Sequence, residues 1–299
     1  MANEKYEFTG ETQVVNGRTL HRIRAIITFS HVEAGEIGGW IETESNLSVS
    51  GDAWVSGDAW VYGNAEVSGN AKVYGNAEVS GNAKVYGDAK VSGNAWVYGD
   101  AKVYGDAEVY GNAWVYGDAK VSGNAEVYGN AWVYGDAKVS GNAWVYGDAW
   151  VYGNAKVYGD AKVSGNAWVY GNAWVYGDAK VSGNAWVYGN AWVYGDAKVY
   201  GDAEVYGNAE VSGNAEVSGN AWVYGNADYI VFKNCWSSMR WFTYTRSNRK
   251  WKVGCFYGTG EELVKKAYAD SKKSGECYEA IVRAVEAIEA ATKEAEDGE

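Results

Sequence analysis

The stretch Ala113–Asn130, AWVYGDAKVSGNAEVYGN, is three passes through one hexad, G-[ND]-A-x-V-[YS]. The same hexad repeats without a break from Gly51 to Tyr224, with no insertion or deletion. A fixed period outranks every local signal in deciding a fold. Six residues are too few for a helical repeat unit, and no 3.6-residue apolar period is present. Within the hexad A-x-V-[YS] alternates, so Ala and Val point one way while x and Tyr or Ser point the other. Gly followed by Asn or Asp supplies a corner, because Gly lacks a Cβ and Asn and Asp tolerate left-handed backbone angles. A four-residue strand plus a corner, repeated, is one side of a β-solenoid.

The outward x position gives the number of sides. Sorted by threes, one class of hexads carries Trp at x in eight of ten cases, with Glu78 and Glu204 as the gaps. The other two classes share only Trp54, Trp144, Trp174 and Trp192. The true period is therefore three hexads, and three sides per coil make a triangular prism. Residues 165–182 and 183–200 differ only at Ser182 against Tyr200, so duplication of whole coils also explains a copied Trp column. Ten coils at about 4.8 Å predict a rod of roughly 48 Å. Each coil would bury three Val, at about 1.5–3 kcal/mol apiece.

Both ends of such a rod are sheet edges that need covers. Residues 1–44 read as a hairpin cap, with Gln13–Val15 and Arg18–Ile27 flanking the turn Asn16-Gly17. Residues 45–230 form the solenoid, and 231–299 a small α+β domain. In that domain Trp241–Thr245 and Trp251–Phe256 read as a hairpin around Ser247-Asn248. Thr259-Gly260-Glu261-Glu262 fits a capping box that opens a helix. Gly275 is expected to break that helix, and a second runs from about Glu276 to Glu294. Tyr278, Ile281, Val282, Val285 and Ile288 fall on one face of it, and Glu279–Arg283 and Glu289–Lys293 form supporting pairs.

The hexad V-[YS]-G-[ND]-A-x resembles the hexapeptide-repeat, left-handed parallel β-helix family. The lead-in Val32–Ser48 (VEAGEIGGWIETESNLS) and the ending Trp251–Leu263 (WKVGCFYGTGEEL) resemble a short-repeat branch found in bacteria and prophages. The resemblance implies the left-handed coil and a prophage-borne setting. The family includes acyltransferases, which use a histidine base on the solenoid and a protruding loop. Here His21 and His31 both precede the repeats and no loop interrupts them, so the chain reads as a non-enzyme with no cofactor or metal. Phosphate-binding glycine motifs and a Ser/His/Asp set are absent as well.

Chain composition narrows the remaining classes. The 299 residues include 40 Gly, no Pro, 16 Trp and 25 Tyr, with a net charge of -12. No apolar run approaches the roughly 18 residues of a membrane span, so no membrane partner is expected. The polar start MANEKYEFTG does not read as a signal peptide. Cys235, Cys255 and Cys277 are odd in number and lack ligand spacing, so they read as free thiols of a cytoplasmic protein in a bacterial host.

Two surfaces are candidates for binding. The first is the aromatic face: Trp96, Trp114, Trp132, Trp150, Trp168 and Trp186, with Tyr98, Tyr116, Tyr134, Tyr152, Tyr170 and Tyr188 two residues after each. Its rings either support their own rod or offer an interaction surface. The partners it suits are a second copy, a host protein such as a defence component, a carbohydrate or a nucleic acid. The second is a basic-aromatic patch of Arg240, Trp241, Arg246, Arg249, Lys250, Trp251 and Lys252. It suits a nucleic acid, or it docks the cap onto an acidic rod. On the other faces seven of ten Lys follow a corner Asp, which predicts Lys–Asp pairing along a solvated surface. The expected function is a rigid, non-enzymatic interaction scaffold, probed against a carbohydrate- or nucleic-acid-binding module. A nucleic-acid mimic and an acyltransferase rank below both.

Overall fold

A computed structural model describes residues 3–297, with side chains through residue 292. The hexads form short strands, or rungs, from Trp54–Val55 to Trp222–Val223. They are arranged in three parallel sheets in which every rung pairs with its counterpart one coil on, as Trp114 pairs with Trp132, Lys120 with Lys138 and Glu108 with Glu126. The rungs are shorter than the alternation predicts: most are x-Val pairs, and only Lys84–Gly87 and Lys102–Gly105 reach four residues. The corners consume the rest of each hexad, because Gly must turn and the following Asn or Asp already bonds to the next corner.

Most hexads close against the next coil in the same way. In one example Asn112 N–H donates to Gly129 O at 2.8 Å, Trp114 N–H to Ala131 O at 2.9 Å, and Tyr116 N–H to Val133 O at 3.0 Å. Inside, the Ala and Val of every hexad are buried at 0–1% exposure, in one core that runs from Tyr6 to Val223. Outside, corner Asn side chains form ladders of their own, such as Asn94 Nδ2 to Asn112 Oδ1 and Asn112 Nδ2 to Asn130 Oδ1, both at 3.0 Å.

Covers close both ends of the rod. Strands β1 (Tyr6–Val15) and β2 (Arg18–Ala25) form the expected hairpin, with Asn16 and Gly17 both at positive φ. Strand β3 (Ile37–Ile41) then pairs antiparallel with β2 and parallel with the Trp60–Val61 rung, so the cap continues the aromatic sheet. Gly38 and Gly39 allow this joint, since a Cβ there would lie 2.5 Å from Ile23 and 2.7 Å from Val55. The Lys5 ammonium is buried under the first coil and donates to Ser48, Gly51 and Ala53 carbonyls. Its burial pushes its pKa down to about 8 against the pull of Asp52. Asn46, fully buried, donates to Gly63 and Ala65 carbonyls beside it.

The far end has four strands rather than the expected hairpin. β4 (Tyr229–Asn234), β5 (Arg240–Thr245), β6 (Lys250–Val253) and β7 (Phe256–Gly258) form an antiparallel sheet in sequence order. Helix α1 (Gly260–Asp270) opens on the predicted capping box, with Thr259 and Glu262 bonding reciprocally. The break falls at Ser271, whose backbone is extended, and not at Gly275. Gly275 lies inside α2 (Lys272–Asp297), where a Cβ would meet the Tyr268 ring at 2.2 Å, so its role is close helix contact. Tyr278, Val282 and Val285 are buried as expected, Ile281 packs on them, and Ile288 is exposed. Arg283 pairs with Glu279. The second expected pair, Glu289–Lys293, reaches a side chain outside the described residues.

Corner glycines carry a cost that differs by position. Gly117 has φ +69° and its missing Cβ would lie 3.1 Å from the Gly135 backbone. Gly213 has φ +62° with nothing within 4 Å. Gly213→Ala should lose about 1–2 kcal/mol from backbone strain alone. Gly117→Ala should lose measurably more in the same urea titration, and equal losses would contradict the close approach of the coils.

Candidate functional site

Aromatic rings occupy the sheet that the period predicts. Trp96 through Trp186 stack on one another with centroids 4.7–5.2 Å apart and planes within 9° of parallel. The tyrosines form a second column beside them, from Tyr98 to Tyr206, with centroids 4.8–5.1 Å apart. The ring spacing matches the coil spacing. Tyr98, Tyr116, Tyr134 and Tyr152 each meet the Trp of the next coil edge-on, as Tyr116 meets Trp132 at 6.2 Å and 76°. All twelve predicted residues therefore belong to one continuous double ladder.

This geometry decides what the surface can offer. In a stacked column, each ring face is covered by the rings above and below it. Solvent meets a ridge of ring edges. Only the end members Trp96 and Trp186 reach 38% exposure, and the four Trp between them are half-buried. Glu78 and Glu204 sit next to these ends, accepting from Tyr62 and Tyr188. The same offset puts Tyr110 on Glu126 at 2.7 Å and Tyr194 on Glu210 at 3.2 Å. The residue 16 positions after a Tyr is thus its diagonal neighbour on the next coil, and it is Trp, Glu or, after Tyr74, Tyr86, Tyr104 and Tyr146, Lys, a relation that reading the sequence by columns overlooks. It was available in the sequence, since five of the seven rod Glu follow a Tyr by 16 positions.

The lysine face corrects an expectation. Among the described residues, rod lysines make ion pairs with Glu on neighbouring coils, and not with corner Asp. Lys84 meets Glu66 at 3.2 Å, Lys90 meets Glu108 at 2.8 Å and Lys198 meets Glu216 at 2.7 Å. The Asp–Lys association has another cause. An Asn ladder passes a hydrogen bond upward, but an Asp accepts one and has no N–H to pass on. Asp100 accepts from Asn82 and Asp160 from Asn142, and each ladder stops there, so Asp118 and Asp136, like Asp178 and Asp196, follow with no amide below them to donate. The adjoining Lys columns place opposite charge beside these carboxylates without an ion pair between them among the described residues.

The basic-aromatic patch is divided by strand alternation. Trp251 is buried at 1% exposure in the core between the sheet and helices, so no ligand can stack on it. Tyr244 beside it donates to Glu289, and Arg249 reaches the same carboxylate at 3.3 Å. Lys252, on the opposite face, turns toward the rod and meets Glu216 at 3.8 Å, and Thr243 Oγ1 accepts from Glu216 N–H at 2.9 Å. Ser247 accepts from Trp222 N–H, and Tyr257 donates to Ser218 O. Arg246 and Lys250 are half-buried, while Arg240 and Trp241 remain exposed. The patch is chiefly the joint between cap and rod, and a single basic-aromatic surface does not form.

His21 stacks on Phe8 in the cap at 4.7 Å, and His31 is exposed on the following turn. Among the described residues, no group of three His, Cys, Asp or Glu is placed to hold a metal ion, and no helix is long and apolar enough to cross a membrane.

Three parallel sheets joined at glycine corners define a β-solenoid of about ten coils. Residues 137–153, 161–177 and 179–195 match the profile of the YdcK beta solenoid repeat family, which places repeats of that family in the middle of the rod. A search of curated proteins gives no match.

The ladder makes a further physical property testable. Burial raises the pKa of Tyr98, Tyr116, Tyr152 and Tyr170, and takes Tyr134 up to about 12 with neighbouring Tyr116 and Tyr152 adding to the shift. Tyr188 is raised by burial and by its bond to Glu204. A raised folded pKa means the folded state holds its proton longer. The associated stability is complete below the unfolded value of about 10 and is lost as pH climbs through the folded values. Spectrophotometric titration should show most tyrosines ionising above pH 10, together with loss of the β-sheet signal. A single transition at the free tyrosine value with structure intact would contradict it.

Proposed function

We propose that this chain is a non-enzymatic, rigid scaffold that binds a second copy of itself or a host protein through its Trp/Tyr face and C-terminal domain. The observation that carries the reading is the covered faces of the Trp rings. A flat sugar or base needs an open ring face, and between Trp96 and Trp186 none is free. A ridge of edges about 29 Å long, from six coils, instead suits a complementary protein surface. Within this reading the coil is left-handed and the chain acts in the cytoplasm of a bacterium, carried by a prophage. A defence component is the host partner most in keeping with that setting. These finer points rest on the resemblance of the hexad and its two flanks.

The test replaces Trp114, Trp132 and Trp150 with Lys in one variant. Circular dichroism should keep the β-sheet signature, because the Val core and the backbone ladder are untouched. Native mass spectrometry from bacterial lysate should then show the oligomer or partner complex of the wild type replaced by a monomer. Association that survives all three substitutions would sink the proposal.

A further inference from the structure

Strand β4 (Tyr229–Asn234) lies at an outer edge of the C-terminal sheet and pairs only with β5. The pairing runs through six consecutive residues without a shift. Arg246 N–H donates to Asp228 O at 2.8 Å, which fixes the phase of the ladder. Ile230, Phe232 and Asn234 therefore turn their backbone N–H and C=O to β5, and Tyr229, Val231 and Lys233 turn theirs outward. The strand is gripped on both faces. Tyr229 and Val231 pack on the rod core, Ile230 and Phe232 on the core under the helices.

The chain covers or blunts its other sheet ends. Asn226, Thr243 and Ser247 accept the N–H groups of Glu210, Glu216 and Trp222 on the last rungs. Strand β1 is kinked at Gly10, φ +92°, where its register shifts, and it carries Glu7 and Glu11. Strand β7 has three residues, and its Tyr257 is bound to Ser218. A long, regular, apolar edge with no Pro and no bulge is a template for a further strand. β4, with the sequence YIVFKN, is such an edge.

We infer that β4 takes up an extended segment of a partner protein as a fifth strand, one with apolar residues at alternate positions and a carboxylate where it passes Lys233 and Arg240. The outward N–H and C=O groups of Tyr229, Val231 and Lys233 supply the main-chain bonds. Side chains opposite Ile230 and Phe232 fall on the helix side. On that side, at the Tyr229–Ile230 end, a hollow of about 130 Å³ is walled by Ile230, Tyr244, Val285 and Ile288. It suits an aliphatic side chain. The acids near it are engaged, Asp228 by the Tyr224 and Gly225 N–H groups and Glu289 by Tyr244 and Arg249. At the other end Lys233 and Arg240 are exposed and have no ion pair among the described residues. Charge also decides between a partner and a second copy. A second β4 brings no acid and another Lys233, and β1, the other edge with acids, is kinked between Glu7 and Glu11. The inference rests on the contact role proposed for the C-terminal domain and makes no use of the Trp/Tyr face.

The probe is a random twelve-residue peptide library selected on the immobilised full chain, with enriched peptides then measured by fluorescence anisotropy. These peptides should alternate apolar residues and carry Asp or Glu toward one end. N-methylation of one alternate set of their residues should abolish binding, and of the other set should spare it, because only every second N–H of an added strand faces β4. That readout needs no change in the protein. Val231→Pro removes one outward N–H and keeps the bonds to β5, and should weaken binding about tenfold. Lys233→Glu should weaken it severalfold. The Trp114/Trp132/Trp150→Lys variant should bind the peptides as the wild type does, so failure of the aromatic face and failure of the edge give separate results. No enrichment, enriched peptides without alternation, or equal effects of the two methylation sets would overturn the inference. A dimer of the free chain that Val231→Pro dissociates would overturn the choice of occupant in favour of a second copy.

Discussion

Backbone hydrogen bonds between each residue and one a coil further on, such as Trp114 N–H to Ala131 O, set a step that everything else must obey. Parallel strands lie about 4.8 Å apart, and side chains at equivalent positions inherit that distance. For Val and Ala inside, the step gives continuous contact. For rings outside, it gives offset stacking, the arrangement that aromatic pairs prefer. For Asn, it lets one amide reach the next in a hydrogen bond. For Asp it is a repulsion that needs compensation. The surface chemistry of the rod is therefore a matter of which side chains tolerate their own image at one fixed distance.

The tolerances explain the residue choices better than a division into faces does. Trp and Tyr stack on themselves, so they occur in long runs. Asn bonds to itself, but the ladder ends wherever Asp takes its place, as where Asn82 donates to Asp100. Lys does not bond to itself; most rod Lys follow a corner Asp, some meet Glu, as Lys90 meets Glu108, and Lys156 lies over the Trp174 ring. Glu accepts from the Tyr of the preceding coil, as at Tyr110–Glu126. The two caps follow the same rule at the ends, where no further coil exists. Lys5 and Asn46 supply donors to the first coils, and Asn226, Thr243, Ser247 and Asp228 supply acceptors to the last.

The rod was legible in the sequence because its period never slips and its inward residues are only Ala and Val. Three sheets, three hexads per coil and the Trp column all follow from position alone. The C-terminal sheet was less legible because its strands have mixed partners. Tyr229–Asn234 has an apolar centre but no alternation, since both of its faces are covered in part, by helix on one side and by rod on the other. Trp251 looked like a member of a surface patch because the basic residues around it are neighbours in sequence. In a strand those neighbours point to opposite faces, and alternation from Lys250 to Lys252 would have separated them. The openness of the aromatic face could not be read either. Sequence places Trp above Trp, but whether a ring shows its face or its edge depends on a side-chain torsion shared by the whole column.

The coil has one more consequence, for length. Residues 165–182 and 183–200 are nearly the same unit, and each coil returns every side to the direction it began. Adding or removing one such unit therefore moves the C-terminal domain along the axis by about 4.8 Å without turning it. Both caps would meet the same groups as before. The rod is in this sense a ruler with fixed graduations, and gain or loss of one coil in the gene alters distance while leaving orientation alone.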